Sequence, residues 1–422
     1  MGPVALFDKS FLQSLTVDES VWFDHFFYPN ICPLFYVETL ADLTKATSSS
    51  GRTSEQLVRM IADKTPGLTG VPCAHHRELC VSNLMGMRLP MSGRIPLAGG
   101  RAVRSADGKA GVVFEPAPEA QAFSRWQRGE FKEVEHLFAR GWRDMLSTLD
   151  LPRTAERMRK VGIDSKDCKS VEDAHQIAMD LVRSKTQSFE QMALLFAFVD
   201  IPRELHHPIL QRWAIELYRP LYEYAPYAAH VLAVELFFQI CMAASLISAE
   251  RASNRVDIGY LLYLPFCMIF VSSDKLHKRC SVPFLRSDQS FVWGQDLKKE
   301  LGRLNGHFAS FPQEELERGI MRFAPSPVGS DDALIIRLWD KHAPGWRESQ
   351  QWKAESSPEG DRKIVESLRN FTDAPTVESG SESPEFVDPD HVAVERIVKK
   401  RKGSWWVLPK DLKTDDEEPD SQ

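Results

Sequence analysis

Cysteine is scarce: seven residues in 422, odd in number and scattered, too few for a disulfide framework. A reducing, cytoplasmic setting is expected from that usage. No long, uninterrupted hydrophobic run is present either. The most apolar window, residues 227–247, carries His230, Glu235 and Gln239, so a buried helix is expected there and not a membrane span. The opening apolar run is cut by Asp8 and Lys9 before it reaches the length of a secretory signal. Charge of one sign is equally limited. A net charge of −7 does not advertise a polyanion binder, and the basic residues that stand out form only a local rim, Lys275, Lys278, Arg279 and Arg286. With 43% hydrophobic and 26% charged residues, the chain can bury a large core in more than one structural unit.

Two short apolar runs organise the rest. Val4-Ala5-Leu6-Phe7 stops at Asp8, and Cys267-Met268-Ile269-Phe270-Val271-Ser272-Ser273 stops at Asp274. Each has the length and composition of a buried strand in a parallel sheet. Neighbouring strands lie about 4.8 Å apart, so acids just beyond their C-terminal ends can point into one small volume. The crevice outside those ends is also where open α/β sheets bind ligands.

Between and around these runs the pattern is mostly helical. Phe11, Leu12 and Leu15 share one face, and residues 17–27 continue it with Asp18 and Glu19 near a start and Val21, Trp22, Phe26 and Phe27 as core positions. Pro33 opens another helix, with Phe35, Val37, Leu40, Ala41 and Leu43 facing a core. Glu38 and Asp42 are four apart on its other face, which alone is an ordinary solvated pair. Ser48-Ser49-Ser50-Gly51 reads as a linker, residues 53–64 as an amphipathic helix, and residues 66–118 as Gly-, Pro- and Arg-rich, with 94–97 and 112–114 as a candidate hairpin. Within that stretch Cys73-Ala74-His75-His76-Arg77-Glu78-Leu79-Cys80 offers zinc-ligating residue types at a spacing that matches no standard pattern. A surface or pocket-lining loop is the expectation. Residues 119–247 are helical in pattern throughout, and their aromatic and Met residues belong to a core.

Ser253 or Asn254 is the expected N-cap of a further helix, with Asp257 in its first turn, where amides and dipole favour a carboxylate. Residues 258–264 continue to Pro265 and feed the second apolar run; residues 291–304 hold another element. From about residue 350 the chain is polar and reads as disordered. Lys399-Lys400-Arg401-Lys402-Gly403-Ser404-Trp405-Trp406 interrupts this tail; such a segment grips single-stranded nucleic acid by charge and stacking, or docks on the protein's own surface.

Read together, Leu6-Phe7-Asp8, Pro33-Leu34-Phe35-Tyr36-Val37-Glu38 with Leu40 and Leu43, Arg255-Val256-Asp257, and Phe270-Val271-Ser272-Ser273-Asp274 resemble the PIN-domain nucleases. The resemblance implies a Rossmann-like α/β/α core with a parallel sheet. Residues 1–45 would form its first half and 230–305 its second, with a mainly helical insertion at 46–229 and an irregular to disordered extension at 306–422. It also implies that Asp8, Glu38, Asp257 and Asp274 bind Mg²⁺ or Mn²⁺, that the Ser272 hydroxyl supports them beside the substrate, and that Asp42 is an outer acid. Crowded carboxylates need a cation, since like charges raise one another's pKa. A hard divalent ion takes oxygen ligands, lowers the pKa of a bound water and stabilises a departing oxygen. The expected activity is phosphodiester hydrolysis, with RNA as substrate by analogy, leaving a 5′-phosphate and a 3′-hydroxyl. Lys9, Lys275, Lys278 and Arg279 would hold flanking phosphates. The alternatives are a non-catalytic protein that binds a partner, or another copy of itself, through the insertion, and the toxin of a toxin–antitoxin pair.

Overall fold

A computed structural model of the chain describes residues 2–45, 51–105, 108–160, 168–349, 369–376 and 391–412. The proposed linker serines 48–50, most of the polar tail and the acidic C-terminus lie outside the described residues. In chain order the strands are β1 (Val4–Phe7), β2 (Tyr28–Ile31), β3 (Val71–Pro72), β4 (Arg101–Arg104), β5 (Ala110–Phe114), β6 (Ile269–Ser272), β7 (Ser290–Trp293), β8 (His391–Val394), β9 (Arg401–Lys402) and β10 (Trp405–Trp406).

Five of them form an all-parallel sheet in the order β3-β2-β1-β6-β7. This is an α/β fold consistent with a Rossmann-like α/β/α arrangement. The two apolar runs are neighbours as expected, with Leu6 opposite Phe270 and Phe7 opposite Val271. All four residues of β6 and three of β1 are buried, which explains why both read as continuous hydrophobic runs. The sheet grows from β1 outward to β3, and after a long helical excursion resumes on the other side of β1. The strand order therefore reverses between β1 and β6.

Local sequence sets the first turns. Asp8 caps the helix Lys9–Ser14 by accepting from the Phe11 N–H. Thr16 and Glu19 form a capping box for the helix Val17–Phe26, placing the helix start at Thr16, ahead of the acids that mark its first turn in the sequence. Trp22 of this helix stacks on Phe308 of the helix Gly294–Ala309, ring centroids 4.6 Å apart. The helix Pro226–Ala243 is long and apolar enough to cross a membrane, yet 83% of that window is buried inside the protein. It packs against the helices Val171–Arg183 and Leu151–Lys160.

Several expectations need correction. The segment read as an insertion supplies β3, an edge strand of the main sheet; two residues that include a proline carry no run-length signal. The hairpin pairs β4 with β5 instead of using residues 94–97. Pro96 has no N–H for a ladder, and its carbonyl accepts from the Ala74 N–H. Residues 76–84 are not a surface loop but the helix His76–Leu84, in which Cys80 is buried, and Cys73 ahead of it is a buried free thiol as well. All seven cysteines are free and buried.

The late chain is also more ordered than its composition suggests. The helix Leu334–His342 buries Ile335, Ile336, Leu338 and Trp339. In the segment 391–412, β8 adds to β5, and the β9–β10 hairpin docks on the helix Val17–Phe26. Trp405 is buried, 4.6 Å from Trp22 between ring centroids, with Nε1 donating to Asn305 Oδ1 at 2.8 Å. The Lys402 ammonium donates to the Thr65 carbonyl at 3.0 Å, and the Ser404 N–H to Asp18 Oδ1 at 2.8 Å. Self-docking therefore removes Trp405 from any nucleic-acid platform, and Trp406 already has Arg401 at 5.3 Å over its ring. Trp405→Ala is expected to cost about 3–5 kcal/mol, as for other buried aromatics. A denaturant midpoint that did not fall would show that the docked segment contributes nothing.

Candidate functional site

The strand order reverses between β1 and β6, the position at which sheets of this kind take ligands. Asp8 follows β1 and Asp274 lies two residues beyond β6, so both arrive there from adjacent strand ends. Asp8 is buried. Its Oδ1 accepts from the Phe11 N–H at 2.9 Å; its Oδ2 accepts from the Ser10 hydroxyl at 2.6 Å and the Ser272 hydroxyl at 2.9 Å. Asp274 is half-buried, caps the next helix, Lys275–Ser281, through the Leu276 N–H at 2.6 Å, and donates its own N–H to Ser272 Oγ at 2.9 Å. Gly294 is required beside this turn: a Cβ there would lie 2.2 Å from Ser273 Oγ.

His277, which the sequence reading does not single out, sits at the centre. Its Nδ1 lies 2.8 Å from Ser272 Oγ and 3.3 Å from Asp8 Oδ2, and its Nε2 lies 2.8 Å from the Asp257 carbonyl oxygen. The Asp257 carbonyl can only accept, so Nε2 carries a proton; Nδ1 faces a hydroxyl that can accept or donate, and the Asp8 carboxylate beside it favours the doubly protonated ring. Burial alone would lower its pKa, but the Asp8 hydrogen bond and charge, with Asp257, overcome this and raise it to about 9. Burial likewise raises Asp8, but the hydrogen bond and charge of His277, together with the bonds from Ser10 and the Phe11 N–H, outweigh it and hold the carboxyl below its ordinary range. The available signal was spacing: His277 is three residues after an N-cap aspartate, so its side chain leans back toward the strand end.

Glu38 and Asp257 approach from the helices Pro33–Ala41 and Ser253–Gly259, and both are half-buried. Burial raises Glu38 to about 7, against the Lys9 charge and the Tyr260 hydroxyl, which donates to Oε2 at 2.5 Å; the charges of Asp257 and Asp8 add to the rise. Asp257 is raised to about 6, first by burial, with His277 opposing and Asp274 and Asp8 reinforcing. Asp257 is not in a first helical turn, as its helix starts at Ser253 after Ala252, which contributes no side-chain cap. The dipole therefore gives it none of the expected help.

The four acids thus share an electrostatic neighbourhood. Among the described residues, however, no group of three or more His, Cys, Asp or Glu side chains is arranged to hold a metal ion. The donor chemistry still suits a hard cation: carboxylate oxygens, two of them on groups whose protons are held by burial and, to a lesser degree, by neighbouring negative charge, and a lone pair remaining on Asp8 Oδ1.

The expected substrate contacts divide. Lys275 and Lys278 are exposed, Lys278 lying 5.5 Å from the centre of the Trp293 ring. Arg279 is exposed but donates to the Leu246 carbonyl at 2.6 Å, and Arg286 pairs with Asp288 at 2.9 Å. Lys9 turns inward, donating to Asp42 Oδ1 at 2.8 Å and the Glu38 carbonyl at 2.9 Å. Asp42, pictured as an outer acid, is buried between Lys9 and Lys45. Ser272 is fully buried, so it supports Asp8 and cannot touch a substrate. Comparison with protein-family models, with curated proteins and with solved structures finds no match to this chain.

Proposed function

We propose that the chain is a divalent-cation-dependent phosphodiesterase acting on RNA at the carboxyl edge of its parallel sheet. The observation that carries this reading is the arrival of Asp8 and Asp274 from adjacent strand ends at the point where strand order reverses, with Glu38 and Asp257 close enough to perturb one another's ionisation. Asp8, Glu38, Asp257 and Asp274 would hold Mg²⁺ or Mn²⁺. When bound, such an ion polarises a phosphoryl oxygen and lowers the pKa of a bound water.

The chain's own residues set the rest of the site. Ser272 and His277 fix the orientation of Asp8 from behind. Tyr260, buried and with its pKa raised well above the ordinary value, stays a neutral hydroxyl and donates to Glu38. Lys275 and Lys278 stand on the exposed side of the Asp274 helix, where they can meet flanking phosphates independently of sequence.

The test is Mn²⁺ titration of chelator-stripped protein, followed by incubation with labelled single-stranded RNA. Saturable Mn²⁺ uptake and ion-dependent cleavage leaving 5′-phosphates are the expected results. A second reading, a non-catalytic interaction protein on the same fold, is favoured by the buried His277 that already lies 3.3 Å from Asp8 and by the lack of a ready three-ligand group among the described residues. That reading predicts no acid-dependent Mn²⁺ uptake at all.

A further inference from the structure

The helix Glu133–Ser147 has two apolar faces. One is used internally: Ala139 and Glu135 are buried, Glu135 binds Arg125 and Trp126, and the helix packs against Pro33–Ala41, the helix that carries Glu38. The other is open. Val134 is 62% exposed, Leu137 54%, Phe138 47% and Met145 45%, and Leu149 just beyond the helix is exposed as well. At helical spacing, Val134, Leu137, Phe138, Gly141 and Met145 fall within an arc of about 100°, the width of a face meant to be covered. Isolated exposed apolar residues need no explanation, but a continuous stripe does.

Gly141 is the second observation. It lies in the middle of the helix on the open side, where a Cβ would meet nothing within 4 Å. Glycine is a poor residue for a helix interior, and nothing among the described residues requires it here. A glycine on an exposed helical face does permit another helix to approach closely.

The third is the symmetry of the pattern. Leu137 stands four residues before Gly141 and Met145 four after; Val134 stands seven before and Leu149 eight after. Such a seam is complementary to itself when reversed. On one flank of it lie Arg140 and Asp144, both exposed. In an antiparallel pair related by a twofold axis at Gly141, the same flanks meet with their directions inverted, which sets each Arg140 beside the partner's Asp144.

We propose that this face binds a second copy of the chain, as an antiparallel helix pair crossing at Gly141. A single-helix seam is smaller than the roughly 800 Å² per partner of a standard interface, so the dimer is expected to dissociate on dilution. The proposal stands apart from the phosphodiesterase reading, since none of these residues belongs to the acidic site.

Sedimentation velocity of the full chain over a range of concentrations tests it. The expected result is a concentration-dependent dimer that Phe138→Glu abolishes while helix content and melting temperature are kept. Arg140→Glu should weaken the dimer by about tenfold, and Arg140→Glu with Asp144→Arg should restore it, because the reversed charges again face each other. Gly141→Cys should cross-link copies under mild oxidation, the seven native thiols being buried. A monomer at every concentration overturns the proposal. So does a dimer indifferent to Phe138→Glu, or failure of the double charge reversal to rescue, either of which would mean that another partner or segment covers this face.

Discussion

Asp8→Asn is expected to reduce ion-dependent RNA cleavage to background and to weaken Mn²⁺ uptake, while the chain still folds. The substitution nearly preserves shape. An asparagine carbonyl can still accept from the Phe11 N–H, so the cap of the helix Lys9–Ser14 survives. What is lost is the negative charge and the second acceptor oxygen. The Ser10 and Ser272 hydroxyls, which donate to Oδ2, would face an amide that also donates, and the His277 imidazolium would lose its counter-ion. Breaking a buried pair from one side costs about 3–5 kcal/mol, an upper range here because histidine can shed its proton. Asp274→Asn should lose cleavage equally with a smaller stability change, since that side chain is half-buried and makes one capping bond. The readouts are RNA cleavage, Mn²⁺ calorimetry and denaturant unfolding. Undiminished Mn²⁺-dependent cleavage in both variants would refute the acidic site.

His277→Ala is expected to destabilise the ion-free protein near neutral pH by about 3–5 kcal/mol, because it strands Asp8 as a buried, unpaired carboxylate. The pH dependence identifies the cause. The folded pKa of His277, about 9, lies above its unfolded value near 6.5. Its contribution is therefore complete below about pH 6.5 and is lost as pH rises through 9, worth about 3 kcal/mol in all. Asp8 has the opposite sign: its depressed pKa gives stability that is present above about pH 4 and lost as pH falls through the folded value. Glu38 and Asp257, raised to about 7 and about 6, oppose folding as they ionise, so they add their own decline between about pH 4 and 7. The difference between wild type and His277→Ala cancels Glu38 and isolates the coupled ionisation of His277 with Asp8 and Asp257. Unfolding free energies measured from pH 5 to 10 should converge above pH 9; a constant gap across the range would mean that the histidine acts by packing alone.

The parts of this site legible in the sequence are those fixed by local rules. β1 and β6 were visible because a strand buried on both faces must be apolar along its whole length, and Asp8 and Asp274 because a carboxylate ends each run. Pro33 announced the helix that carries Glu38. Asp257 lies beside His277 for a reason that is not local: its helix begins after Ala252, and its position depends on packing, not on a capped first turn. β3 left no trace, since two residues of edge strand take their conformation from β2. Trp405 and Lys402 leave both a nucleic-acid grip and self-docking open in the sequence, because basic and aromatic residues are equally suited to docking on Trp22 and Thr65.

The amino-acid sequence by itself determined that β1 and β6 become buried strands, that Pro33 opens a helix, and that Asp8 and Asp274 follow those two strands, because apolar run length, proline and capping act within a few residues. Only the tertiary structure decided how those acids are neutralised. Lys9 turned to Asp42, Ser272 went inside, and His277 came to lie between Asp8 and the Asp257 carbonyl, since charge pairing depends on distances between residues as far apart in the chain as 8 and 277.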